Sequence, residues 1–468
     1  MFESFITTVL PRIGHTLTQL DLNFFCIETD AVRAVNLCAI LASAPHLTHL
    51  VYWTAELLST AIGDFSVLAN VENHHPLIDL DLQASRVTRN DMEPLLDKCG
   101  KLRCLKLSGS DENMIHLLES HCPHLQILFY DHNRRSDPMI PDEVYTQFKK
   151  TICTATSTEL TRGLKVLYVD FHFMSRREPD PAILASRYVP SLILDNQATL
   201  EVIDISGCPT MPNLRDHPLD IPNLKSLRIS ITEKNHQLQQ LFLRSIPSFT
   251  NLHTLQLTNA ETSIPLMDIL MTLNRPLKNL KLTFPKASNN ESNQINSSLI
   301  RLLQYYITLQ PSSPPTLAEL TTTTCLESIS IEDQSSNLSE EVLNVLSDIK
   351  TIRSIGIYTR SPNISIEALT DLFKKLSSGK VTYLEIGGLP NVKDDDIIRF
   401  IDILKRHLSF IYFHELDHIT AYGIVMIMEK AKHLKKFKVE HCKLFKDTGT
   451  SEIIAKMKGI EPDMEVPN

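Results

Sequence analysis

The chain has 468 residues, 43% hydrophobic and 22% charged, enough to bury a large core as two or three compact domains or as one repetitive array. Its formal net charge of −9 is spread along the sequence, which favours a soluble surface and argues against a dedicated nucleic-acid groove. The opening MFESFITTVLPRIG lacks the charged-then-apolar pattern of a signal peptide, and no apolar run approaches the ~18 residues of a membrane span, so a cytoplasmic or nuclear protein is expected.

Residues 1–16 read as an N-terminal capping helix. From residue 17 a six-residue phrase, apolar-x-x-apolar-x-apolar, recurs to the end. It reads LTQLDL at Leu17, LTHLVY at Leu47, LIDLDL at Leu77, LRCLKL at Leu102, LQILFY at Leu125, LKVLYV at Leu164, LEVIDI at Leu200, LKSLRI at Leu224, LHTLQL at Leu252 and LKNLKL at Leu277. After a longer interval come LESISI at Leu326, IRSIGI at Ile352, VTYLEI at Val381, LSFIYF at Leu408 and LKKFKV at Leu434. Eleven of the fourteen intervals lie between 23 and 30 residues, and the three longer ones, after Leu125, Leu164 and Leu277, read as insertions.

Each phrase predicts a short strand whose fourth and sixth residues point inward and whose intervening residues point outward. One such strand cannot bury its own apolar face, so neighbours must stack. The segments between phrases carry helical periodicity behind a capping residue, as in DAVRAVNLCAILAS, DENMIHLLES, HQLQQLFLRSI, SEEVLNVLSDI, SIEALTDLFKKLS, DDIIRFIDILKR and TSEIIAKMKG. The expected organisation is a repeat array over 17–282 with rim insertions at 131–163 and 171–199. A partly disordered insertion with one helix, LIRLLQYYI, occupies 283–325. A second array covers 326–460 and a disordered tail 461–468.

The phrase resembles the leucine-rich repeat, and its longer form resembles the cysteine-containing subtype of F-box substrate receptors, L-x-x-L-x-L-x-x-C-x-x-I-T-D-x-G. LEVIDISGC and LKKFKVEHC place Cys208 and Cys442 at the ninth position, while KCGKLRCL and HCPHLQIL place Cys99 and Cys122 three residues ahead of a phrase. The resemblance implies an α/β solenoid of about 15 repeats, ribonuclease-inhibitor-like, with a concave parallel sheet and convex helices. It also implies a non-catalytic substrate receptor of a ubiquitin ligase. A Skp-type adaptor and a cullin would join it if an F-box precedes the repeats; ahead of Leu17 there is no room for one. The alternative is a box-less scaffold or inhibitor unrelated to ubiquitin.

The nine cysteines lack paired CxxC spacing and are expected to be reduced and mostly buried. One stretch suggests chemistry: FHELDHIT holds His414-Glu415-x-x-His418, the spacing of zinc hydrolases. In repeat register, however, Leu408, Ile411 and Phe413 are the apolar positions, Leu416 takes the cysteine slot, and Ile419, Thr420 and Gly423 take the I-T and G positions. His414 then ends a strand and His418 lies in a turn, whereas a zinc protease needs both on one helix face. His74-His75 beside Asp79 and Asp81 reads as a polar turn into a strand, and the lysines of KHLKKFK read as a solvated face. There is no G-x-S-x-G, G-x-x-x-x-G-K or G-x-G-x-x-G motif, and no enzyme, metal or cofactor is expected.

Recognition is therefore sought in the outward residues of the strands, on the concave face. The register gives Asp21, Trp53, Asp79, Asp81, Phe129, Asp131, Tyr168, Asp170 and Asp204 as an acidic N-terminal surface with isolated aromatics, interrupted by Arg228 and Lys281. Toward the C-terminus Tyr358, Tyr383, Glu385, Phe410, Tyr412 and His414 form an aromatic strip. Either group could contact a protein partner, or the rings could cover one another or pack under a loop.

Overall fold

A computed structural model describes residues 5–23, 37–53, 75–86, 89–108, 114–131, 150–152, 162–170, 189–205, 219–230, 244–258, 267–268, 270–273, 276–284, 289–310, 325–334 and 337–442. All fifteen phrases form strands, and the chain is an α/β leucine-rich-repeat fold. It divides into two compact units, Met1–Leu224 with Lys234–Leu241, and Lys225–Glu233 with Phe242–Asn468.

The first unit holds β1 (Gln19–Asn23), β2 (His49–Trp53), β3 (Asp79–Arg86), β4 (Cys104–Ser108), β5 (Ile127–Asp131), β6 (Val166–Asp170) and β7 (Val202–Ile205), paired in parallel in sequence order. Its described helices include α1 (Leu37–Ser43), α2 (Arg89–Lys98) and α3 (Met114–His121). Ahead of β1 a helical run over 5–16 buries Leu10 and packs against the end of α1. The contact is close: a Cβ on Gly14 would stand 2.1 Å from the Ser43 carbonyl oxygen.

The second unit holds β8 (Ser226–Ser230), β9 (Thr254–Thr258), β10 (Asn279–Phe284), β11 (Ser328–Asp333), β12 (Ser354–Thr359), β13 (Tyr383–Gly387), β14 (Phe410–His414) and β15 (Lys436–Glu440), again parallel in sequence order. Its longer described helices are α4 (Asn289–Thr308), α5 (Glu340–Leu346), α6 (Ile366–Leu376), α7 (Asp394–Leu404) and α8 (Ala421–Lys430). Although 49 residues separate their phrases, β10 and β11 pair directly from Asn279↔Ser328 to Phe284↔Asp333. The intervening α4 buries Leu299, Leu302, Leu303 and Tyr306, and the Tyr306 hydroxyl accepts the Leu277 N–H at 3.3 Å. It packs as an elongated repeat helix. The stretch 311–324, the segment HQLQQLFLRSI up to Leu243, TSEIIAKMKG and the tail lie outside the described residues.

Local chemistry makes the repeat. In α6 the buried Leu369, Leu372, Phe373 and Leu376, and in α7 the buried Ile397, Phe400, Ile401 and Leu404, fall at i, i+3, i+4, i+7, so each helix buries one stripe against its neighbours. Phe373 and Phe400 meet across that contact with ring centroids 5.0 Å apart. Ser365 caps α6 by accepting the Ala368 N–H at 3.1 Å. Within each unit, a strand that follows another starts with a pair of backbone N–H groups donating to one carbonyl just ahead of its predecessor, as when Ser409 and Phe410 both donate to Thr382.

The cysteine positions acquire a physical meaning here. The carbonyls of Cys99 and Cys122 accept the N–H of Leu102 and Leu125, three residues on, in a tight turn at the helix end. Ala44, Ile221, Phe249 and Ala431 make the same bond before other phrases and are equally buried. In these six repeats the slot holds a buried side chain, and two of the six are thiols. Burial pushes the Cys99 and Cys122 thiols up to about 12, where they are inert near neutral pH.

Candidate functional site

From β3 to β7 the outward strand positions of the first unit given by the repeat register, Asp79, Asp81, Cys104, Lys106, Ile127, Phe129, Val166, Tyr168, Val202 and Asp204, are buried. Phe129 and Tyr168, expected to face a partner, are 1% and 2% exposed, with ring centroids 5.3 Å apart. They share a buried cluster with Cys104, Ile127, Val166, Val202 and Ile152. All but Ile152 are outward strand positions; Ile152 comes from the insertion between β5 and β6, whose backbone is fastened by Arg103 Nη1 donating to the Ile152 carbonyl at 2.8 Å. Among the described residues of this segment, Ile152 packs with the outward strand positions of β4 to β7 in a second buried cluster.

Asp79, Asp81 and Asp204 are likewise 2% exposed rather than an acidic surface. Asp81 pairs with Lys106 at 2.8 Å, and the Lys106 ammonium lies 5.5 Å from the Phe129 ring centre. Asp21 is exposed and Arg228 half-buried; the side chains of Trp53, Asp131 and Asp170 lie outside the described ones. His75 is a buried structural residue, its Nε2 within 3.2 Å of the Leu41 carbonyl and 3.1 Å of the Ala44 carbonyl.

In the second unit the strip remains open. Registers place Ser328, Ser354, Tyr383, Phe410 and Lys436 in one row across the sheet, then Ser330, Gly356, Glu385, Tyr412 and Lys438, then Glu332, Tyr358, Gly387, His414 and Glu440. The six strip residues named from the sequence are each half-buried. Tyr383 and Phe410 stack with centroids 4.7 Å apart and planes 4° off parallel, an arrangement worth about 0.5–1.5 kcal/mol beyond its area.

Tyr358 leans over Gly387, where a Cβ would meet its ring at 2.6 Å, and reaches within 5.5 Å of the His414 ring. Its hydroxyl donates to Glu415 Oε2 at 2.6 Å, and Arg360 pairs with the same carboxylate. Tyr412 donates to Glu440, which Lys438 also holds at 2.8 Å. Burial works to raise both carboxylates, but these hydrogen bonds outweigh it and hold Glu415 and Glu440 below the usual range. Burial first, then the Glu415 contact, pushes the Tyr358 hydroxyl up to about 12, so it stays a donor. His414 is lowered by burial against the pull of Glu415 and Glu440, and is neutral near pH 7.

HELDH therefore sits as the repeat register requires. His414 ends β14, Leu416 is buried, His418 forms a parallel bridge with Lys393 in the turn, and Thr420 caps α8. The two histidines do not share a helix face. Sequence reasoning took Glu415 only as part of the zinc-like spacing and did not single out His441; both stand at left-handed φ, 52° and 55°, in the turn position that Gly388 occupies after β13. A non-glycine residue there carries a cost of about 1–2 kcal/mol. The glycines at outward positions 356 and 387 were the available signal, since glycine inside a strand marks close approach by another group.

No family model and no curated protein matches this chain. Among solved structures, it is similar to a chain of the Rad7 and Elc1 complex in yeast, at 13% identity and TM-score 0.44, covering 90% of each chain. It is also similar to an internalin (inlF) from Listeria monocytogenes, at 15% identity and TM-score 0.33, covering 93% of this chain and 94% of that one. Values this low bear on no function. The fold assignment rests on the strands, registers and turns above.

Proposed function

We propose that the protein is a non-catalytic recognition scaffold that holds a protein partner against the second unit's concave strip. The observation that carries this is the contrast between two surfaces built by the same register. Where Phe129 and Tyr168 of the first unit are buried in a cluster with Ile152, Tyr358, Tyr383, Phe410 and Tyr412 stay half-buried and locked by stacking and hydrogen bonds. Rigid, partly exposed aromatics bury much area at little entropic cost, which suits them to dominate a protein contact.

The finer proposal, which the repeat phrase's resemblance implies, is a substrate receptor of an SCF-type ubiquitin ligase in the cytoplasm or nucleus. Purification of the full chain under proteasome inhibition, beside a Tyr383→Ala/Phe410→Ala variant, tests both levels. The scaffold reading expects specific proteins bound to the wild type and lost from the variant; identical binding by the two sinks it. The ligase reading also expects a Skp-type adaptor and a cullin, and fails without them, leaving a box-less scaffold.

A further inference from the structure

The four carboxylates of the strip are not equivalent. Glu415 is held by Arg360 and Glu440 by Lys438, so each is neutralised within the chain. Glu385 accepts only the Tyr383 hydroxyl, at 3.3 Å, and Glu332 accepts Thr283 Oγ1 at 3.1 Å and Gln334 Nε2 at 3.0 Å. Neither has a basic partner among the described residues.

Their placement derives from Gly356. With no side chain there, the Glu385 carboxylate leans across β12 toward β11: a Cβ on Gly356 would stand 2.9 Å from Glu385 Oε2 and 2.6 Å from Ser330 Oγ. Glu332 lies one row away on β11, directly beside Tyr358. The Tyr358 ring leans the opposite way, over Gly387. Glu385, beside Gly356, and Glu332, diagonal to it on β11, thus place two carboxylates on this part of the strip, with Tyr358 and Tyr383 as aromatic neighbours and the Phe410 ring beyond Tyr383 as an apolar shelf, while the Tyr412 ring already faces Lys438 at 5.1 Å.

Negative charge combined with ring faces is complementary to a cation on an apolar stem. The geometry points to a partner segment that places an arginine or lysine between Glu332 and Glu385, against the tyrosine faces, with an adjacent apolar or aromatic residue on the Tyr383–Phe410 stack. Arginine fits best, because its planar guanidinium can stack on a ring while donating two bonds to a carboxylate. This inference rests on the reading of the strip as a contact surface and adds the chemistry of what it contacts.

The test uses the full chain and phage-displayed random linear peptides as the probe, followed by affinity measurements on the enriched peptides. Enriched sequences are expected to carry an arginine or lysine beside an aromatic or aliphatic residue. Their affinity should fall roughly tenfold on Glu385→Gln and by less on Glu332→Gln, as for loss of one partner of a partly desolvated charge pair. On the wild type it should weaken several-fold as salt rises from about 0.05 to about 0.5 M, which needs no variant to fold. Peptides that depend on Tyr383 and Phe410 but lack a basic residue, or that ignore both glutamine variants and salt, overturn the inference and leave the contact surface standing. If no peptide depends on Tyr383 or Phe410, both readings are overturned.

Discussion

Gly423→Ala should destabilise the second unit although alanine favours helix. Gly423 lies in the first turn of α8, where a Cβ would stand 2.2 Å from Asp394 Oδ1 and 2.6 Å from its Cγ. That carboxylate, from the preceding repeat, accepts the Thr420 N–H at 2.8 Å and the Thr420 hydroxyl at 2.5 Å, so it fastens one repeat to the cap of the next. The methyl group must displace Asp394. Charge-assisted bonds are worth roughly 1.5–3 kcal/mol each, and at this part-buried site the lower figure gives about 3 kcal/mol for the pair. Alanine's helix advantage returns at most about 1 kcal/mol, leaving a net loss of about 2 kcal/mol. Chemical denaturation followed by circular dichroism measures the total, and hydrogen exchange of the α8 amides locates it, since repeat arrays can open at one end. In an Asp394→Ala background the same substitution should be neutral or stabilising. A stabilised single variant, or an equal cost in both backgrounds, would refute the reasoning.

Burial lowers His75, His253 and His414 below the ordinary 6.5, so the unfolded chain binds protons before the folded one does, and stability is expected to fall as pH drops below about 6.5. His75→Gln should flatten that slope in pH-dependent melting; an unchanged slope would remove His75 from the account. Ile152→Ala should cost about 2–4 kcal/mol in denaturation, as for a core isoleucine, whereas a loop residue would stay within about 0.5 kcal/mol. At position 415, glycine should give a protein more stable than alanine by about 1 kcal/mol, because both lose the Arg360 and Tyr358 contacts but only glycine tolerates the left-handed φ of 52°. Equal melting of the two variants would deny that strain.

The strands were legible because their signal is local and repeated. Leu20, Ile355 or Phe437 needs only its own phrase to be assigned inward, and the same parity places Tyr383 and Phe410 in one row from the sequence alone. What a row does depends on contacts between segments with no common period. Nothing in LYVDF says that Tyr168 will lie under Ile152, because that side chain arrives from an irregular insertion. Arg360, the cation that neutralises Glu415, sits past the end of β12, outside the repeating phrase, and was missed for the same reason.

That difference between periodic and non-periodic information explains why one register rule yields two kinds of surface. An outward aromatic on a repeat sheet has a strong tendency to be covered, since exposed apolar area is unfavourable at roughly 25 cal/mol per Å². In the first unit Ile152 joins Phe129 and Tyr168 in a buried cluster, and the buried Lys106–Asp81 pair lies beside the Phe129 ring. In the second unit the rings cover one another in part: Phe410 lies on Tyr383, and Tyr358 lies across Gly387 toward His414. Self-stacking fixes the rings and leaves them, with the half-buried Glu332 and Glu385, partly in contact with solvent. A surface held rigid in this way has paid its side-chain entropy before a partner arrives, so the outward aromatics worth mutating first are those that stack without an insertion above them.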